Sequence, residues 1–343
     1  MKKGILVEIK QTPRTKTLNH MADESHLSSL AQGTEQGHAV LAEAVAAYTR
    51  TLGERLIAAY SLGSLSHGGF SPLVSDVDLA LILADPLRPT DSLRVAAVAR
   101  GVKKANGSAL YDRLSVFWGT PSSLAGQVPG GRFPPLDRLD LLEHGCLLWG
   151  EDARSGLASP GRDELLVAGA IFALEHLAGL VVRSPHARAG KTLGSLHRTR
   201  GVRRLTELVL FPVRFLFTTD GDAVEEVRCP ELLLARGVRR LTKLVLFPVR
   251  FLFTAETGQV ATYGDAVEHY LAADVCPGAE LVAAALAWRR MPPENDEVVL
   301  SLLEAGMVPL YLHYIDDQRT RLAALGRHDL AEAFGQWRRR LLQ

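Results

Sequence analysis

The 343-residue chain has little excess charge of either sign: 39 lysines and arginines stand against 38 acids, a net of +1. That balance excludes a strong overall pull toward nucleic acid or an acidic membrane and leaves only local patches. Cysteine is scarce. Cys146, Cys229 and Cys276 are odd in number and far apart, which excludes a disulfide scaffold and predicts reduced thiols in a cytoplasmic protein. The longest apolar stretches are broken by Pro or Arg, as in LVLFPVRFLF, so neither a signal peptide nor a membrane span is expected. The 11 histidines form no ligand-spaced cluster, and zinc is not expected. AGKTLGS lacks the spaced glycines of a phosphate loop and reads as a connector.

What is present suffices for two domains with cores of their own. Residues 1–36 are polar and aperiodic and read as a flexible N-terminal tail, the basic part up to His20 as a tail or leader. From 37 to 155 the pattern predicts a small mixed sheet with helices. A helix over His38–Thr51 precedes strands at Arg55–Ser61, Asp76–Leu83, Arg113–Trp118 and Cys146–Trp149. Further helices are predicted at Ser66–Phe70, at Pro89–Lys104 with Thr90 or Asp91 as N-cap, and at Leu136–His144. From 156 to 343 the period turns helical and predicts a bundle. Trp288, Tyr311, Tyr314 and Trp337 fall at core spacing within it. The fold class is therefore α+β.

The most informative run is LIAAYSLGSLSHGGFSPLVSDVDLALIL, Leu56 to Leu83. An apolar strand ends in Gly63-Ser64, and a second opens with Asp76-Val77-Asp78. Side chains two apart on a strand share a face, so Asp76 and Asp78 form a carboxylate pair whose repulsion a divalent cation relieves. Gly63 admits backbone close to a ligand, and Ser64 adds a hydroxyl and an N–H. His67 follows closely and reads equally well as a turn residue facing solvent.

This segment resembles the DNA polymerase β-like nucleotidyltransferase superfamily, in which Gly-Ser after one strand is followed by Asp-x-Asp in the next. The run RRLTKLVLFPVRFLFTAETGQVATYGDAVEHYLA further resembles the C-terminal bundle of aminoglycoside nucleotidyltransferases of the 3''/9-adenylyltransferase type, through Arg250, Thr257, Gly258, Val260, Ala266 and Tyr270. The resemblance implies Mg²⁺ on Asp76 and Asp78, triphosphate contact at Gly63 and Ser64, and ATP or another nucleoside triphosphate as substrate. It implies transfer of NMP, AMP in the first instance, to a hydroxyl of a small molecule. The chain departs from the pattern in three places. The third acid of the family would fall near Ser115. Asp112, three residues earlier, is the candidate for it, with Asp137, Asp140 and Glu143 as substitutes on the next helix. The triphosphate lysine aligns with Tyr263. The stretch 181–193 carries His186, Arg188 and Lys191 in place of the Trp and Asp that hold an aminocyclitol, a lining that suits an anionic acceptor.

The alternatives are a toxin-type enzyme acting on tRNA or protein, a nucleotide-binding protein without catalysis, and a dimerising helical module. The last draws on a duplication. Arg200–Thr218 and Arg236–Thr254 are identical but for Glu207 against Lys243. Two such segments cannot fill one slot in a close-packed core, and the second is expected to be the bundle helix.

Overall fold

The structure, a computed structural model, describes residues 13–106, 108–178, 230–293 and 295–342. In chain order it runs α1 (Pro13–Leu52), β1 (Leu56–Leu62), α2 (Ser64–His67), β2 (Val77–Leu83), α3 (Asp91–Ala105), α4 (Ala109–Asp112) and β3 (Leu114–Gly119). Next come α5 (Pro121–Leu124), α6 (Pro135–His144), β4 (Cys146–Gly150) and α7 (Arg162–His176). The last helices are α8 (Pro230–Thr257), α9 (Tyr263–Leu271), α10 (Ala279–Trp288), α11 (Asp296–Ala324) and α12 (His328–Leu341). The helix expected from His38 begins at Pro13, so residues 13–36, read as part of a tail, are helical.

The four strands lie in the order β3-β2-β1-β4. β2 is parallel to β3, joined by the α3 crossover, and β1 is antiparallel to both of its neighbours. Both β1 and β2 are apolar on two faces because the sheet is covered twice. Val77, Leu79, Leu81 and Leu83 pack with Val40, Leu41 and Tyr48 of α1 and Val95 of α3. Ala80 and Ile82 pack on the other face with Tyr60, Phe117 and Leu141 of α6. Asp78 shares the parity of that second face, which puts its carboxyl under α6.

Of Thr90 and Asp91, the two residues expected as N-cap, Asp91 serves instead as a buried counter-ion. Thr90 holds the cap position without a side-chain bond, while Asp91, 0% exposed, pairs with Arg55 Nη2 at 2.6 Å. Arg55 also donates to the carbonyls of Ala84 and Pro86. One guanidinium thus ties the end of β2 to the start of α3.

The helices from α7 onward form a bundle. Leu303, Met307, Leu310, Tyr311, Tyr314 and Ile315 of α11 are buried in it with Phe334 and Trp337 of α12. Glu297–Ala324 is long and apolar enough to cross a membrane by length and composition alone, although no span was expected, and here it supplies the bundle core. Trp288 is also buried. Arg236–Thr254 lies within α8 and places Val238, Leu241, Val245, Leu246, Val249 and Leu252 in the core. Tyr311 donates its hydroxyl to the Leu244 carbonyl at 2.8 Å. The first copy, Arg200–Thr218, lies outside the described residues, as do Cys229, AGKTLGS, His186, Arg188 and Lys191. Cys146 and Cys276 are free thiols.

Candidate active site

Sheet and bundle meet where β2 begins. Val74, two residues before Asp76, is buried in the bundle core. The turn leading to it is clamped from both sides. Arg289 of the bundle donates to Gly69 O and Ser75 Oγ at 3.0 and 3.2 Å. Arg113 donates to the carbonyls of Ser75 and Pro72. Asp76 is thereby presented to α8, and Asp78, inside β2, to α6.

Gly63 closes the space between them. Its φ of 63° and ψ of −151° lie where side chains are disfavoured. A Cβ there would come 2.5 Å from Asp78 Oδ2, so the backbone touches the carboxylate because there is no side chain. The Gly63 N–H donates to Asp140 Oδ2 at 2.6 Å. Its carbonyl accepts from the N–H groups of Ser66 and His67. We expect Gly63→Ala to lower stability by about 1–3 kcal/mol through backbone strain and the clash with Asp78. Thermal melts check this, and an unchanged midpoint would show that the turn is not built around this carboxylate.

Helix α6 contributes Asp137 and Asp140, three apart and so on one helix face. Leu139 and Leu141 bury that helix against the fold. Four carboxylates therefore converge. Burial first, then the charges of Asp76, Asp137 and Asp140, push the Asp78 carboxyl well above the usual carboxylate range, against the pull of Lys243. Asp137 is pushed up to about 7 by burial and by Asp140, with Arg132 and Arg250 opposing. Asp140 Oδ1 is buried without a hydrogen-bond partner, and the nearest ring nitrogen of His67 stands 4.0 Å away. Burial, partly offset by Asp140, lowers the His67 pKa.

Asp76 differs from Asp78 and Asp137. Burial would raise its pKa, yet Lys243 and Arg239 hold it below the usual range. Lys243 Nζ lies 2.5 Å from Oδ2, and Arg239 pairs with Oδ1. Asp112 ends α4 ahead of β3 and is exposed. It therefore does not project from the strand, and the carboxylates that act most strongly on Asp78 include Asp137 and Asp140 instead. The residue beside Asp78 on β3 is Ser115. Asp112 and Asp76 both line a cleft of about 450 Å³ beside α3 and β3, which also carries Lys103, Arg113, Arg132 and Arg239.

The bundle adds two cations, Arg250, which carried part of the resemblance, and Arg289, which the sequence did not mark. The guanidiniums of Arg250 and Arg289 lie 4.7 and 4.1 Å from the ring centroid of Tyr263. The Arg250 charge reaches both His67 and Asp137. Positive charge thus stands beside Tyr263, where the expected lysine is missing.

The donor set suits a hard divalent cation. Among the described residues no group of three or more His, Cys, Asp or Glu side chains is set to hold a metal ion. Mg²⁺, however, needs only one or two carboxylates and completes its shell with water and phosphate oxygens. The unpartnered Asp140 oxygen and the crowding that raises the Asp78 pKa are features that a bound cation would relieve.

No family model matches the chain, and no curated protein matches it significantly. Among solved structures, the crystal structure of spectinomycin adenyltransferase AAD(9) from Enterococcus faecialis, with ATP and spectinomycin, is similar at a TM-score of 0.44 and 13% sequence identity, over 76% of this chain and 97% of that one.

Proposed function

We propose that this chain is a Mg²⁺-dependent nucleotidyltransferase that moves NMP, AMP in the first instance, from a nucleoside triphosphate to a hydroxyl of a small molecule. The observation that carries this reading is the glycine turn seated directly on Asp78, within a ring of four carboxylates at the junction of sheet and bundle. Asp76 and Asp78 would hold Mg²⁺, which when bound neutralises phosphate charge and activates the acceptor oxygen. Gly63 and Ser64 let the triphosphate approach the backbone. Arg250, charged beside Tyr263, faces the phosphates from the bundle.

Asp137 is the general base in this reading. Burial and Asp140 raise its carboxyl to about 7, and a raised carboxylate suits acceptance of a hydroxyl proton. The acceptor oxygen forms a bond to the α-phosphorus as the bond from that phosphorus to the bridging oxygen breaks. Pyrophosphate leaves, and the proton goes to the carboxylate.

Phosphorus NMR of ATP incubated with the protein, Mg²⁺ and a panel of hydroxylated small molecules tests the reaction class. Pyrophosphate and an adenylylated acceptor are expected, with Arg250→Met at least about tenfold slower for loss of a charge-assisted phosphate contact. Release of ADP and orthophosphate instead would contradict nucleotidyl transfer.

A further inference from the structure

Lys243 is the position at which two otherwise identical segments of this chain differ. Arg200–Thr218 and Arg236–Thr254 match throughout except for Glu207 against Lys243. In the second segment that residue makes a specific contact: its ammonium lies 2.5 Å from Asp76 Oδ2. Arg239, one helical turn earlier, takes the other oxygen. Both oxygens of a carboxylate assigned above to Mg²⁺ are therefore held by cations from the bundle.

Resting on the nucleotidyl-transfer reading, we propose that Lys243 and Arg239 are exchangeable counter-ions of Asp76. They hold its carboxylate while the site contains neither metal nor nucleotide, and they move to triphosphate oxygens when Mg²⁺ takes Asp76. A divalent cation and an ammonium compete for the same oxygen lone pairs. Lysine suits such an exchange. Its charge is a compact point on a flexible stem with three freely rotating donors, and it travels without backbone movement. The Lys243 side chain is 24% exposed and that of Arg239 33%, so both reach solvent. Arg239 keeps a buried Nε–H without a partner, so its donors are not exhausted by Asp76. The exchange also returns a lysine to the triphosphate, where Tyr263 cannot supply one. A glutamate beside Asp76, as the first segment would bring, adds repulsion and has no donor for phosphate.

Calorimetry on the full chain tests this with two probes, Mg²⁺ alone and ATP with Mg²⁺. Lys243→Met is expected to bind Mg²⁺ alone severalfold more tightly, because a competitor is gone. It is expected to bind ATP with Mg²⁺ about tenfold more weakly, because a charged phosphate donor is gone. Lys243→Glu, which makes the two segments identical, should move both affinities further in the same opposed directions. Lys243→Arg should keep both within about threefold of the parent, since charge and donors are retained. If Lys243→Met does not fold, Lys243→Gln is expected to show the same opposed pair. Affinities that fall together, as from a merely structural role, or that do not change, overturn the proposal while leaving nucleotidyl transfer standing. A parent protein that binds neither Mg²⁺ nor ATP overturns both.

Discussion

Asp78→Asn is expected to yield a protein that is more stable than the parent and inactive. The gain follows from where the carboxyl sits. It is half-buried under α6, faces Asp76, Asp137 and Asp140, and has Lys243 as an opposing charge. Its pKa is raised in the fold, so at neutral pH the native state either retains a proton that the unfolded chain releases or holds a charge it disfavours. Stability therefore falls as pH rises from about 4, the carboxyl's unfolded range, toward the raised native value. Asparagine has no such dependence. The stability difference between variant and parent should be near zero at about pH 4 and widen as pH increases. Transfer activity should fall by on the order of 100-fold or more, because the substitution removes charge at the centre of the site. Melting curves across pH and an assay of pyrophosphate release check both halves. A variant less stable than the parent at neutral pH would mean that Asp78 is a satisfied structural carboxylate.

Asp91→Ala is expected to be the most destabilising single substitution at the sheet. It removes a fully buried carboxylate and strands Arg55, whose side chain is 9% exposed. Breaking a buried pair from one side costs about 3–5 kcal/mol, because the remaining charge stays desolvated. The Arg88 N–H loses its acceptor as well. Denaturant unfolding of Asp91→Ala and of the double variant Arg55→Met/Asp91→Ala measures this. The double variant should recover much of the loss, since neither charge then remains buried. Equal destabilisation in both would show that the carbonyl contacts of Arg55, and not the ion pair, hold β2 to α3.

The sheet half was legible because its signals are local. Continuous apolar runs mark β1 and β2, and Gly63-Ser64 and Asp76-x-Asp78 sit at strand ends where spacing alone orients them. The parallel β2–β3 pairing that puts Ser115 beside Asp78 agrees with the expectation that no acid stands there. Of the cations of the site, only Arg250 was marked in the sequence, through the resemblance. Arg239 and Lys243 lie 163 and 167 residues from Asp76 in the chain, beyond the reach of any local spacing. Arg250 and Arg289 reach Tyr263 from two different helices. Asp137 and Asp140 were visible as helix charges, but only the packing of Leu141 against the sheet turns that face toward Asp78. The N-terminal helix was read too short because its first turns lack an apolar period.

In the proposed reaction, metal and nucleotide share the site at Asp76 and Asp78. The most direct test is calorimetric titration with ATP, with and without Mg²⁺, of the parent and of Asp76→Asn/Asp78→Asn. ATP should bind the parent at least about tenfold more tightly with Mg²⁺, because two carboxylates without a metal repel the triphosphate. The double variant should lose that advantage. Equal affinity with and without metal in the parent, or an undiminished Mg²⁺ effect in the double variant, would contradict the assignment.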